Sequence, residues 1–360
     1  MADAVDDKYL KGRGAQINTH NHFEKQVVGA FHIEGIDEEV GLGGRTQYIP
    51  TYPKTFINKV DSPDIGRAYS MNPYQGCEHG CLYCYARVTH EYWGYSAGLD
   101  FEQKILVKQN ITEALEKQFS KKGWEPLPIM LSGNTDCYQP IEKKLKLTRG
   151  VLETVLKYKH PVSMITKNSL ITRDIDLLQE LAKHNLVHVM MTITSTDEKI
   201  RLQLEPRTTT YKQRFKAVET LSKAGIPVGV MVAPIIPGIT SHDVPNVIKI
   251  AAEHGAKRAG YTIVRLNGAI GNVFKDWLEK NYPDRAQKVW NQISDCHGGQ
   301  VNDSRYGKRM SGEGNIAESI KRLFQISVKK FMGTPERLRL NTSAFLNKHN
   351  AQTSLFDDMV

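Results

Sequence analysis

A chain of 360 residues, 40% hydrophobic and 24% charged, has room for one large catalytic domain or two ordinary ones, and this composition excludes a wholly disordered or fibrous protein. No apolar run reaches membrane-spanning length, and the opening residues MADAVDDKYLKGRG lack the apolar core of a secretory signal, so a cytoplasmic protein without membrane partners is expected. Forty-eight Lys and Arg against 39 Asp and Glu leave a net charge of +9, which permits a polyanionic partner without identifying one.

Residues 1–66 carry basic and glycine-rich pieces (KGRGAQ, GLGGRTQYIPTYP) with little periodicity, and are expected to form an irregular N-terminal extension. An α/β rhythm follows. Apolar runs suited to buried strands lie at 127–131, 162–166, 186–193, 228–233 and 261–266, with a short strand expected at Ala68–Met71 before them. Amphipathic stretches at 111–119, 142–158, 174–184, 210–225 and 243–255 alternate with these runs, and the KAG and EHG endings have the form of glycine C-caps. Six strand-then-helix repeats demand a parallel sheet, either open and doubly wound or curved into a partial barrel. Neither GxGxxG nor GxxxxGK[ST] is present, so the nucleotide-fold readings lose their best support. The expected organisation is an extension (1–66), the α/β unit (67–300), a C-terminal helical region (301–346, with a helix over 313–332) and a polar tail (347–360).

Three of the five cysteines, Cys77, Cys81 and Cys84, fall within eight residues. An odd, small number of cysteines argues against a disulfide framework. Thiolates spaced C-x3-C-x2-C can reach one soft metal centre from a single loop. Structural zinc would want a fourth ligand; His79 could serve only by straining the loop, and neither Cys137 nor Cys296 belongs to a second knuckle. A [4Fe–4S] cluster held by three cysteines, with one iron open to an exogenous ligand, competes with zinc and with plain packing, and is the best fit.

The segment GCEHGCLYC, directly after the first expected strand, resembles the signature of the radical S-adenosylmethionine (SAM) superfamily. That resemblance spans about residues 65–300 and implies a partial (β/α)6 TIM-like barrel. It also implies a cluster on Cys77, Cys81 and Cys84 whose open iron chelates S-adenosylmethionine, with Tyr83 near the adenine. Reductive cleavage of the sulfonium to a 5′-deoxyadenosyl radical is the implied chemistry, fed by a reducing partner such as flavodoxin or ferredoxin. MNPYQGCEHGCLYCYAR, TDCYQP and ITKNSLITRD together are similar to bacterial radical SAM or "DNA repair photolyase" proteins related to spore photoproduct lyase.

Supporting roles at the strand ends follow, some from the same resemblance (132–137 and APIIPG) and the others from location alone. Ser132, Gly133, Asn134 and Asp136 would hold the amino group of S-adenosylmethionine, although the segment departs from the common Gly-Gly-Glu form and also reads as a capped turn. Cys137 could donate a hydrogen atom to a radical, or simply pack. Lys167, Asn168, Thr194, Ser195 and Arg207 could contact ribose hydroxyls and the methionine carboxylate; Arg207 could equally pair with Glu205. Ala233 opens a stretch, APIIPG, that resembles the segment beneath adenine and also suits a rim turn, and Asn267 could finish the site. Tyr74, Tyr85, Tyr92, Trp93 and Tyr95 crowd the cysteine loop, as a stacking surface or as scaffold.

In the tail, Gln352-Thr353-Ser354-Leu355-Phe356 resembles the peptide by which bacterial polymerases and repair proteins bind the DNA sliding clamp; docking back on its own domain is the alternative. These features point to a radical enzyme acting on a DNA or RNA component in repair or modification. A radical enzyme acting on a peptide or small metabolite, and a zinc-containing nucleic-acid-binding protein with no catalytic role, are the alternatives.

Overall fold

The computed structural model describes residues 10–23, 45–334 and 339–346. Ten strands occur among them: β1 Gln47–Thr51, β2 Ile57–Ser62, β3 Gly66–Met71, β4 Tyr74–Gln75, β5 Lys104–Lys108, β6 Ile129–Leu131, β7 Val162–Thr166, β8 Val187–Thr192, β9 Val228–Ile235 and β10 Ala259–Ile263. Seven form a curled sheet in the order β10-β9-β8-β7-β6-β3-β2, parallel throughout except that β2 runs antiparallel to β3. Helices flank it, so the architecture is the expected partial barrel. A smaller sheet, β1-β5-β4, stands beside the cysteine loop.

The sequence pattern explains the layering. In β7, Val162, Met164 and Thr166 are buried, while Ser163 and Ile165 are only half-buried; in β8, Val187, Val189 and Met191 alternate likewise with His188 and Met190. One face packs under helices and the other lines the barrel interior. The crossover helix Tyr211–Lys223 buries Tyr211, Phe215, Val218 and Leu221 on one stripe, starts on a Thr210 cap that accepts from Gln213 N, and gives way to Gly225 at φ +74°. Each such side chain contributes about 1.5–3 kcal/mol of apolar burial.

Three expectations change. Within the stretch expected to be irregular, residues 57–62 form β2; its IleAsnLysValAspSer sequence shows only a weak alternation because it pairs on one side alone. The expected helix 142–158 is broken at Lys146 (φ +53°) into Glu142–Leu145 and Leu147–Lys157. Glu142 pins that break: its buried carboxylate accepts from the Tyr74 hydroxyl (2.5 Å) and from Thr148 N (3.1 Å). Beyond β10, Ile270–Asn281 and Ala286–Asp295, spans not named from the sequence, pack together before the expected helix, Gly314–Phe331, lies against Val244–Glu253.

The two edges of the curled sheet are tied to each other. Asp64, in the turn between β2 and β3, accepts from Arg309 Nε at 2.5 Å and from Gly307 N at 2.7 Å. The segment bearing those donors is anchored to β10 through Ile263 N and Met310 O, 2.9 Å apart. No helix among the described residues is long and apolar enough to cross a membrane.

Candidate active site

The loop Cys77–Cys84 follows β3 and β4 and is held from four directions. Cys77 N donates to Phe101 O (2.9 Å), Leu82 N to Leu204 O (3.0 Å) and Arg207 N to His79 O (3.3 Å). Glu78 N donates to the Gln139 side chain (2.9 Å), and the Glu78 carboxylate accepts from Ile141 N (2.8 Å) and Tyr48 (2.9 Å). Beneath the loop, buried Arg87 donates to Cys81 O (3.0 Å) and pairs with buried Glu102 (2.5 Å). Gly80 has φ +68°, and a Cβ there would meet Glu102 Oε2 at 2.8 Å, so only glycine fits this bend.

All three loop cysteines line a cavity of about 410 Å³ among the strand ends. Ser132, Gly133, Asn134 and Asp136 follow β6; Ile165, Thr166 and Lys167 end β7; Thr192 ends β8; Met231, Ala233 and Pro234 come from β9; Thr262, Ile263 and Arg265 close the circuit at β10. Burial pushes the thiols of Cys77, Cys81 and Cys84 upward from their ordinary value. All three are free of disulfides. Burial by itself disfavours the thiolate; what suits a soft metal centre is that three thiols of one short loop converge on one cavity, and the charge of a bound centre would offset that burial. The donor set therefore fits an iron–sulfur cluster.

Tyr83 lines the cavity with its ring, and its hydroxyl donates to buried Glu205. Glu205 also accepts from Thr194 (2.6 Å) and pairs with Arg214 (2.5 Å); burial would raise its carboxyl, but Arg214 and Lys167 hold it at about 2. The Lys167 ammonium lies 5.7 Å from the Tyr83 ring centroid. Asp136 accepts from Thr166 (2.7 Å) and Lys167 N (2.8 Å), and lies 3.3 Å from His79 Nδ1. Burial opposes its ionisation, but His79 and these donors hold it at about 2. It is thus an anchored anion in the cavity wall.

Ten of the sequence-predicted residues meet at this cavity: Cys77, Cys81, Tyr83, Cys84, Ser132, Gly133, Asn134, Asp136, Lys167 and Ala233. Six stand elsewhere: Asn168 accepts from Leu170 N (3.0 Å), Thr194 donates to Glu205 (2.6 Å), and Cys137, Ser195, Arg207 and Asn267 are engaged as follows. Cys137 is fully buried in the main apolar core, its N–H on Ser132 Oγ (2.8 Å) and its carbonyl accepting from Thr148 (2.6 Å), so the residue next to Asp136 turns away from the cavity. Ser195 gives its hydroxyl to Asp243 at 2.7 Å. Arg207 pairs with Glu78 (3.3 Å) behind the cysteine loop, and Glu205, its expected partner, belongs to Arg214. Asn267 offers its carbonyl to Ile270 N (3.2 Å) at the start of a helix. Arg265 and Arg309 line the cavity without having been singled out; the charge within the apolar run YTIVRL marked Arg265, whereas nothing in YGKRMSG marked Arg309.

A family model described as Radical SAM superfamily matches residues 71–251, and the chain belongs to that superfamily. It is therefore an enzyme of a class that works with S-adenosylmethionine and a [4Fe–4S] cluster. An uncharacterized protein of Methanocaldococcus jannaschii is 30% identical over 253 residues, covering 70% of this chain and 90% of the relative. Another, from Mycobacterium tuberculosis, is 30% identical over 234 residues, covering 64% and 69%. Among solved structures, a spore photoproduct lyase complexed with dinucleoside spore photoproduct superposes with a TM-score of 0.61 at 16% identity, over 84% of this chain and 86% of that one. This last likeness is one of fold.

Proposed function

We propose that Cys77, Cys81 and Cys84 hold the [4Fe–4S] cluster, that S-adenosylmethionine occupies the β6 to β9 side of the adjoining cavity, and that the substrate is a nucleic-acid component undergoing repair or modification. The carrying observation is the convergence of three loop thiols, Cys77 and Cys81 buried and Cys84 half-buried, with the ends of β6 to β10 on one cavity. When bound, the cluster and S-adenosylmethionine supply a 5′-deoxyadenosyl radical on reduction, with a flavodoxin- or ferredoxin-like donor as the electron source.

The chain's own residues bind and orient. Asp136, ionised at neutral pH, offers a carboxylate to the amino group, while Gly133 and Asn134 present backbone beside it. Lys167 offers a cation to the methionine carboxylate, and Ala233 and Pro234 offer an apolar floor for adenine. Tyr83, locked by Glu205, keeps that wall rigid and excludes water. The basic balance, and the dinucleoside spore photoproduct carried by a lyase of the same fold, support a nucleic-acid substrate.

Anaerobic reconstitution tests the reading. Iron and sulfide quantification with electron paramagnetic resonance is expected to report one cluster, and dithionite reduction to yield 5′-deoxyadenosine from S-adenosylmethionine. Alanine at Cys77, Cys81 or Cys84 is expected to abolish both. A folded protein that retains stoichiometric zinc and takes up no iron would overturn the assignment.

A further inference from the structure

Two arginines line the β10 side of the cavity, and one carboxylate serves them. Arg309 is committed: Nε contacts Asp64 at 2.5 Å and Nη2 contacts Ser62 Oγ at 3.0 Å. Among the described residues Arg265 has no such side-chain partner. Asp303, the acid nearest it in the following segment, gives its carboxylate to Arg305 at 2.7 Å and offers Arg265 only a backbone carbonyl, 3.5 Å from Nη1. That distance is at the outer limit of hydrogen bonding. The one acid among the cavity-lining residues is Asp136, already engaged by Thr166, Lys167 N and His79.

Arg265 is also partly buried, and burial together with the neighbouring Arg309 charge pulls its pKa down. Asp64 and Asp303 offset part of that repulsion, but Asp64 bonds Arg309 and Asp303 bonds Arg305, so the Arg265 guanidinium still faces the cavity without a carboxylate of its own among the described residues. A guanidinium fork matches two oxygens of a phosphate. Tyr85 lines the same cavity, is 45% exposed, and is near enough to Arg265 to influence its charge. An exposed ring beside a cationic pair offers a stacking face next to a backbone grip, the combination by which single-stranded nucleic acid is held.

We propose that Arg265 and Arg309 form a phosphate site of this cavity, in which Arg265 grips a phosphodiester of the substrate and Tyr85 stacks on an adjoining base. This rests on the nucleic-acid reading above and gives it a point of attachment. Arg309, tied to Asp64, fixes the position of the charge, and Arg265 supplies the free fork.

The test uses the reconstituted full chain with two probes. Fluorescence anisotropy of a short thymine-rich single strand is followed across salt concentrations, and inorganic phosphate is titrated while the arginine Nε signals are followed by nitrogen–proton correlation. Arg265→Gln is expected to weaken strand binding by about tenfold and to flatten the salt slope by about 0.7, the loss of one phosphate contact. Arg265→Lys is expected to restore the slope but not the full affinity, and phosphate is expected to shift the Arg265 Nε signal. Melting midpoint and iron content establish that each variant is folded; if Arg265→Gln is not, Arg265→Lys binding as tightly as wild type overturns the fork. Equal affinity and slope in wild type and Arg265→Gln overturn the phosphate site while leaving the nucleic-acid reading standing. A strand that wild type does not bind, with phosphate still shifting Arg265, removes the nucleic-acid reading and keeps the site. Failure of both probes removes both.

Discussion

Glu102 shows how much of the cysteine loop depends on one buried acid. Its carboxylate receives Arg87 (2.5 Å), Gly14 N (3.0 Å) and Ala15 N (2.8 Å), while Arg87 in turn holds Cys81 O. Glu102→Ala would leave Arg87 buried and uncompensated, at a cost of about 3–5 kcal/mol. Urea denaturation is expected to show that loss, and reconstitution to yield less iron per chain; a variant with wild-type midpoint and wild-type iron would contradict it. His160 gives a second residue-scale test. It is buried between Trp124 Nε1, which donates to its Nε2 at 3.1 Å, and the Pro161 carbonyl, 3.0 Å from its Nδ1, and burial lowers its pKa to about 4. Because the folded pKa lies below the unfolded value of about 6.5, unfolding takes up a proton between the two. The contribution is therefore complete above pH 6.5 and is lost as pH falls towards 4, by about 3 kcal/mol at most. Denaturation midpoints of wild type and His160→Gln are expected to converge over that window; a gap independent of pH would refute the linkage. At this scale the convergence of the cysteines on one cavity was legible because their spacing sets all three on one short loop. Asp136 and Cys137 were not separable, because sequence marks a strand end but not which of two neighbours turns inward.

Elements with strong apolar runs were legible, and those defined by one edge or one polar side chain were not. β7 matches its expected span at 162–166 because Val162, Met164 and Thr166 are buried under helices. β2 escaped notice because an edge strand with exposed Asn58, Lys59 and Asp61 carries little hydrophobic signal. The break at Lys146 depends on where Glu142 finds donors, which is a tertiary fact. The tie between the sheet's edges has the same character: Asp64 and Arg309 are 245 positions apart in the chain. Removing it is expected to loosen the 307–312 segment before the barrel. Asp64→Asn should speed amide exchange at Gly312, whose N–H bonds to Lys308 O, and at Gly307, while Val230, bonded to Arg258 O beside β10, keeps its protection. Unchanged exchange at Gly307 and Gly312 would show that the segment is held by its other contacts.

At the scale of the whole molecule, cavity and C-terminal segment lie at opposite ends of the strands. The cavity residues follow the carboxyl ends of β6 to β10, whereas Asn341 N bonds to Asn185 O (2.8 Å) and Leu346 N to Tyr158 O (2.9 Å), both just before their strands begin. Phe345 completes this docking edge-on to Phe119, with centroids 5.6 Å apart. The clamp-like peptide Gln352–Phe356, read from sequence, lies outside the described residues. Leu346, the last described residue, lies at the end of the strands away from the cavity. For a protein of net charge +9, a tether through that peptide would add a second attachment to a weak electrostatic one and raise the effective concentration at DNA. If the peptide binds the clamp, Leu355 and Phe356 would be its apolar anchors and Gln352 its directional one, and the pair would carry most of its affinity. Titration of purified bacterial sliding clamp is expected to show binding by wild type and its loss in the Leu355→Ala/Phe356→Ala double variant. Equal binding by both proteins, or none by either at tens of micromolar clamp, would remove the tether and leave the phosphate site as the protein's hold on nucleic acid.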